Sequence, residues 1–280
     1  MNALKTAMLL ALMSAILLVG GQAIAGRQGL YVAFAITAVM NLASYFLSDK
    51  IALMSYGAQP VTEAENPEVY RRVAPIVRGL SQRMNLPMPK LWIIPEESPN
   101  AFATGRNPNH ASVAFTAGIL QLMNDNELEG VIAHELGHVL HRDILISSVA
   151  AMLAGTITFL ARMAFWFGGS SRDEEDRGNP VAAIAMMILA PIAAMLIQMA
   201  ISRSREYDAD EASAKYVGSP YPLIGGLQKL DTWSKRIPMD ASPSTAHMFI
   251  VKPFTGESLM RLFSTHPSTE DRIARLQAMR

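Results

Sequence analysis

No cysteine occurs in the 280 residues. That excludes disulfides, thiolate metal sites and a cysteine nucleophile, and it leaves the redox compartment open. Charge is sparse as well: 17% of the residues are Asp, Glu, Lys or Arg, against about 25% in an ordinary soluble domain. Neither sign predominates, with 24 basic and 24 acidic residues, so the footprint of a nucleic-acid binder is missing. Half of the chain is hydrophobic and the mean hydropathy is +0.20. This composition excludes a disordered chain and argues against an ordinary water-soluble enzyme.

The apolar residues gather in four runs: Ala7–Gly26, Gly29–Leu47, Ile144–Gly168 and Val181–Ile201. Each reaches the roughly 20 residues that cross a bilayer. The third carries one charge, Arg162, near enough to its end to snorkel to the interface. Lys5 and Ala23-Ile24-Ala25 imitate a signal peptide with its cleavage site. Only Arg27 and Gln28 separate this run from the next, which favours a retained anchor. Four crossings put residues 1–6, 48–143 and 202–280 on one side. Lys5, Lys50, Arg142, Arg203 and Arg205 flank that side, against Arg27, Arg172 and Arg177 on the other, so the large side is expected in the cytoplasm.

Between the runs the chain is mixed. Asn66-Pro67 starts a helix that continues to about Met84, bent by Pro75. Lys90–Pro95 and Ala111–Thr116 are strand-like, while residues 98–100 and 106–109 mark loops. Asp125 caps a helix through Leu140; residues 202–217 form another, stopped by Gly218 and Pro220; and Asp271–Met279 form a C-terminal helix. No internal repeat is visible. The expected organisation is a transmembrane hairpin over 1–48, the first half of a catalytic α+β domain over 49–143, a second hairpin over 144–201 and the second catalytic half over 202–280.

Residues 134–138 read His-Glu-Leu-Gly-His. Two histidines four apart share one helix face and can hold one metal ion, and zinc favours imidazole nitrogens. Glu135 sits beside the first ligand and can take a proton from water whose pKa the ion lowers to about 7. His141 is not the third ligand: at about 1.5 Å per residue it lies ~10.5 Å along the helix from His134. It is expected near the membrane interface instead. A carboxylate from a second helix is needed, and Glu206 and Asp210 are four apart on the 202–217 helix. One can ligate the metal while the other orients a ligand imidazole. Asp208 and Glu211 suit a solvated face. Tyr207 is either a hydrogen-bond donor to the reacting oxygen or a packing residue. His110 and His247 are expected to be structural or surface residues.

The segments HELGHVLHRD (134–143), SRSREYDADEASAKYVG (202–218), SPNAFATG (98–105) and FSTHPSTEDRI (263–273) together resemble the HtpX family, bacterial membrane-bound zinc metalloproteases related to the CAAX prenyl proteases. The resemblance spans the chain. It implies a gluzincin-like fold, mainly helical with a small sheet, anchored by about four transmembrane helices in the inner membrane with the catalytic domain facing the cytoplasm. It implies one zinc ion per chain on His134, His138 and Glu206, with Glu135 as catalytic base and Asp210 behind the ligands. It implies a stress-related role in quality control of damaged or misassembled membrane proteins, alongside the AAA protease FtsH. Asn100-Ala101-Phe102 resembles the edge strand on which gluzincins hold substrate. His266 is a candidate donor to the oxyanion. Two other readings compete. A zinc-binding pseudoenzyme or chaperone-like scaffold would have no need of Glu135, and a CAAX-type processing protease would call for more spans than this length supplies.

Overall fold

The computed structural model describes residues 2–146, 203–234 and 267–279. Helix α1 (Asn2–Phe46) takes up the first two apolar runs. Gly26 has φ +55°, a left-handed conformation that glycine adopts without a Cβ penalty, and there the helix turns back on itself. Asn41 Nδ2 donates to Ser14 Oγ at 3.1 Å, and a Cβ on Gly21 would meet Ala33 Cβ at 2.5 Å, so the two arms pack closely and antiparallel. Tyr31, Val32, Phe34, Ile36, Val39 and Leu42 are exposed on the second arm. Among the described residues no helix is long and apolar enough to cross a membrane, and the four-span anchor stays an expectation. Beyond Ile146, the second apolar pair lies outside the described residues, as do His247 and His266.

A short helix α2 (Ser48–Ser55) follows, then strand β1 (Gln59–Pro60). Helix α3 (Pro67–Arg83) opens with proline at its first position, behind Asn66. It buries Val73, Ala74, Val77, Leu80 and Ser81, the spacing of one helix face. Strands β2 (Lys90–Ile94), β3 (Ala101–Gly105) and β4 (Ala111–Thr116) complete a sheet of order β1-β2-β4-β3. β2 runs parallel to β4 and β3 antiparallel to it, with Ala103 opposite Val113. β3 is therefore an edge strand.

After helix α4 (Ala117–Leu122) comes α5 (Asp125–Leu140), the central helix. Its cap is Asn124 rather than Asp125: Asn124 Oδ1 accepts from the Glu127 N–H at 2.9 Å, and Glu127 Oε2 accepts from the Asn124 N–H at 3.0 Å. This reciprocal box satisfies two orphan donors, and Asp125 becomes the first helical residue. Leu128, Val131, Ile132 and Leu136 are fully buried in the main core. Helices α6 (Arg203–Val217) and α7 (Tyr221–Ser234) pack on α5, and α8 (Thr269–Gln277), capped by Ser268, closes over them. Helices α2, α4 and α7 and strand β1 were not expected from the sequence, and β3 was marked only by the resemblance of Asn100-Ala101-Phe102 to an edge strand.

α6 is unusual in what it hides. Glu206, Ala209, Asp210 and Ser213 are buried at helical spacing, so the inward face carries acids and small residues in place of leucines. Asp208 and Glu211 are exposed, as a solvated face requires. The close approach is made at Gly137 of α5, where a Cβ would lie 3.0 Å from Ala209 Cα and 3.2 Å from Ala212 Cβ.

Candidate metal centre

The turn of α5 between positions 134 and 138 presents both histidines toward α6. Their Nε2 atoms stand 3.2 Å apart. Glu206 reaches them from α6: Oε2 is 3.7 Å from His134 Nε2, and Oε1 is 3.7 Å from His138 Nε2. Among the described residues these three form a group able to hold a metal ion, with ligand atoms all within 4.8 Å of one another. Tetrahedral coordination with bonds near 2.1 Å separates ligand atoms by about 3.4 Å, so the triangle has the right size for one ion.

Each histidine is aimed from behind. His134 Nδ1 lies 2.9 Å from Asp210 Oδ1. Asp210 is in turn gripped by Arg272 of α8, Nε to Oδ2 at 2.9 Å and Nη2 to Oδ1 at 2.6 Å, the two-pronged geometry in which a guanidinium matches a carboxylate. His138 Nδ1 lies 3.2 Å from Asp143 Oδ2. An N–H placed on Nδ1 by these carboxylates leaves the Nε2 lone pair for the metal.

Asp143 arrives there through the end of α5. The Arg142 N–H donates to Val139 O at 3.2 Å and the Asp143 N–H to His138 O at 3.1 Å, with Arg142 at φ +57°. This is the Schellman ending, normally built on glycine. An arginine held left-handed beside the site folds the chain back so that the fifth residue after His138 touches its ring. His141 is the exposed C-cap of α5 and does not belong to the metal group found among the described residues.

Glu135 is 4% exposed, and its Oε2 accepts from the Ala103 N–H of edge strand β3 at 2.8 Å. Burial raises its proton affinity above the usual carboxylate value; the two imidazoles and the Ala103 N–H act the other way, and Glu206 adds to the rise. Burial alone would lower His138, but the carboxylates of Asp143, Glu206 and Glu135 outweigh it and push the imidazolium up to about 10 in the metal-free chain. Burial would also raise Asp210, yet Arg272 and the His134 N–H hold its carboxyl below the ordinary value.

The charge count fits a divalent cation. Glu135, Asp143, Glu206 and Asp210 are buried around the ligands together with Arg205 and Arg272. Four carboxylates against two guanidiniums leave two negative charges, which a buried cluster must offset.

Asn100, Ala101 and Phe102 are all buried. Asn100 is tied to Thr116 through both backbone groups, and the Phe102 ring packs with Leu53, Ile94 and Tyr56. What β3 can offer a substrate is its backbone edge. Arg275 stacks over the Tyr207 ring at 4.5 Å, which ties α8 to α6 beside Glu206. His110 is exposed and bonded to Asn107. Asp143, Ala103 and Arg272 take part in the site without having been singled out by spacing. Asp143 and Arg272 lie within the motif segments, and only tertiary contact distinguishes them from surface charges.

The peptidase family M48 profile matches residues 64–280. A "Protease HtpX homolog" from Desulforapulum autotrophicum is 53% identical over 280 residues, covering 99% of this chain and 89% of the relative. One from Thermodesulfovibrio yellowstonii is 54% identical over 282 residues, covering 100% and 99%. The crystal structure of S. mikatae Ste24p overlays 95% of this chain and 62% of that one with a TM-score of 0.49 at 18% identity. The chain belongs to peptidase family M48, among the HtpX proteases, and is a metalloprotease.

Proposed function

We propose that this protein is a membrane-anchored zinc endopeptidase in which His134, His138 and Glu206 hold one zinc ion and Glu135 is the general base. The observation that carries the reading is the ligand-sized triangle of two imidazoles and a carboxylate with a buried glutamate on the same turn as the imidazoles. When bound there, zinc supplies Lewis acidity and brings the deprotonation of water near neutral pH. Glu135, its basicity raised by burial, accepts the proton and returns it to the leaving amine. The Ala103 N–H keeps the Glu135 carboxylate aimed from β3. Substrate pairs as an added strand along β3 at Asn100–Phe102, which sets its scissile bond beside Glu135. Asp210 and Asp143 hold the imidazoles in the metal-ligating tautomer, and Arg272 keeps Asp210 ionised and in place.

The catalytic unit in this reading is assembled from 49–143 and 202–280, with the hairpins 1–48 and 144–201 as anchor. The exposed apolar face of α1 supports the membrane assignment, since an apolar surface of that extent calls for a nonaqueous partner. The flanking positive charges support a cytoplasmic catalytic side in a bacterial inner membrane. Misassembled membrane proteins as substrates, and a functional link to FtsH, rest on the family resemblance.

The test is cleavage of a model membrane protein by the purified full chain, with and without a chelator, beside Glu135→Gln. We expect wild-type cleavage to stop on chelation, and Glu135→Gln to keep its zinc while losing at least about 10²-fold in rate. Most of the activity surviving in Glu135→Gln would remove the proposed base.

A further inference from the structure

Arg205 precedes the ligand Glu206 on α6, yet its own side chain is 6% exposed. Among the described residues none of its three guanidinium nitrogens has a hydrogen-bond partner. Burying a cation that way is costly unless something nearby answers it. Two groups act on it: burial lowers its proton affinity, while Asp143 first and Glu206 second act to raise it. Asp143 shows the complementary deficit. Its Oδ2 meets His138 at 3.2 Å, and its Oδ1 is buried with no hydrogen-bond partner among the described residues. An orphan acceptor and a fork of orphan donors thus lie around one imidazole: Asp143 meets its Nδ1, and Arg205 directly precedes Glu206, whose Oε1 is 3.7 Å from its Nε2.

The other histidine shows what such a set does when closed. There, His134 Nδ1, Asp210 and Arg272 form a chain with contacts of 2.9, 2.9 and 2.6 Å. On the His138 side the same residue types appear in the same order, imidazole, aspartate and buried arginine, with the last contact open. The two arms differ in origin. Asp210 and Arg272 come from α6 and α8, whereas Asp143 follows the left-handed turn at Arg142 and Arg205 comes from α6.

We propose that Arg205 is a positioning residue for the metal centre, which acts through Asp143 Oδ1 to fix the His138 imidazole and is the counterpart of Arg272 on the other arm. The inference rests on the metal-site reading above. Closing the pair satisfies a buried acceptor and a buried cation together, and it fixes the Asp143 carboxylate so that its other oxygen keeps the His138 N–H. Arg205 does not act on Glu135 or on substrate; its influence passes through the ligand.

The test uses zinc affinity of the full chain in detergent, measured by chelator competition for wild type, Arg205→Met, Asp143→Asn and the double variant. Wild type is compared first with Glu206→Gln, whose affinity must fall; tight zinc binding that ignores Glu206, or none in wild type, would sink the metal-site reading itself. Given that binding, Asp143→Asn and Arg205→Met should each lose about 10–100-fold, as residues behind a ligand do, and the double variant should lose no more than the worse single. Arg205→Met combined with Asp210→Asn should instead multiply, because that pair acts on the other histidine. Arg205→Lys should recover most of the loss, which a packing role for the stem would not distinguish from Met. Should Arg205→Met fail to fold, Arg205→Lys carries the cycle: its few-fold deficit should vanish in the Asp143→Asn background. Losses that multiply between Arg205 and Asp143, or an Arg205 variant with wild-type affinity, would overturn the proposal and leave the metal centre standing.

Discussion

His138 shows how a metal site prepares for its ion. Four buried carboxylates around two imidazoles create a potential that a proton satisfies when no cation does, and the imidazolium persists to about 10 against about 6.5 for a free histidine. The folded value lies above the unfolded one, so this proton stabilises the metal-free protein fully below pH 6.5 and is lost as pH rises through about 10. Metal must displace it. Between those limits zinc uptake by metal-free protein should release at least one proton, and affinity should rise about tenfold per pH unit. Titration between pH 7 and 9 with a pH-corrected competitor checks this. Asp143→Asn removes the leading carboxylate and should flatten the slope; an affinity that is flat with pH in the wild type would contradict the charge accounting.

At the scale of elements, the site depends on how closely α6 can lie against α5. Gly137 is the third residue of the motif's interior, between the ligand histidines, and its missing side chain leaves room for Ala209 and Ala212. A Cβ 3.0 Å from the Ala209 backbone needs a shift of a few tenths of an ångström, and Glu206 rides on the helix that would move. Alanine in place of helical glycine normally stabilises by about 1 kcal/mol. At Gly137 the opposite is expected: Gly137→Ala should lower zinc affinity, and Gly137→Val should lower it further and reduce the melting temperature of the loaded protein. Gly79 in α3 has nothing within 4 Å of its would-be Cβ, so Gly79→Ala should raise the melting temperature. Equal behaviour of the two glycines in the melting experiment would mean that helix spacing does not govern the site.

At the scale of the whole molecule the question is orientation. The flanking charges counted from the sequence include Arg205, but the fold buries it in the metal centre. Lys5, Lys50, Arg142 and Arg203 then stand against Arg27, Arg172 and Arg177, a narrower margin in the same direction. A reporter fused after Arg280 should be active in its cytoplasm-sensing form and silent in its periplasm-sensing form. Periplasmic activity at that position would reverse the orientation and move the substrates to the other side.

The two histidines of the metal triangle and the glutamate beside them were legible because their chemistry is local: His134, Glu135 and His138 occupy one helical turn, and helix geometry alone brings two imidazoles together. The start of α5 to within one residue, the helix α3 and two of the strands were legible for the same reason, since helix-start signals and periodicity are short-range. Glu206 and Asp210 were visible only as two candidates on one helix face, because which carboxylate meets the ion depends on how α6 docks at Gly137. Asp143, Arg272, Ala103 and Arg205 could not be found by spacing at all. A buried arginine and a solvated one read alike in a sequence, and what separates them is the desolvation that packing imposes. The sequence by itself determined which chemistry this protein carries; the tertiary structure decided which side chains hold the histidines in place and which charges balance them, because those partners come from segments up to 138 residues apart and are chosen only when the helices close.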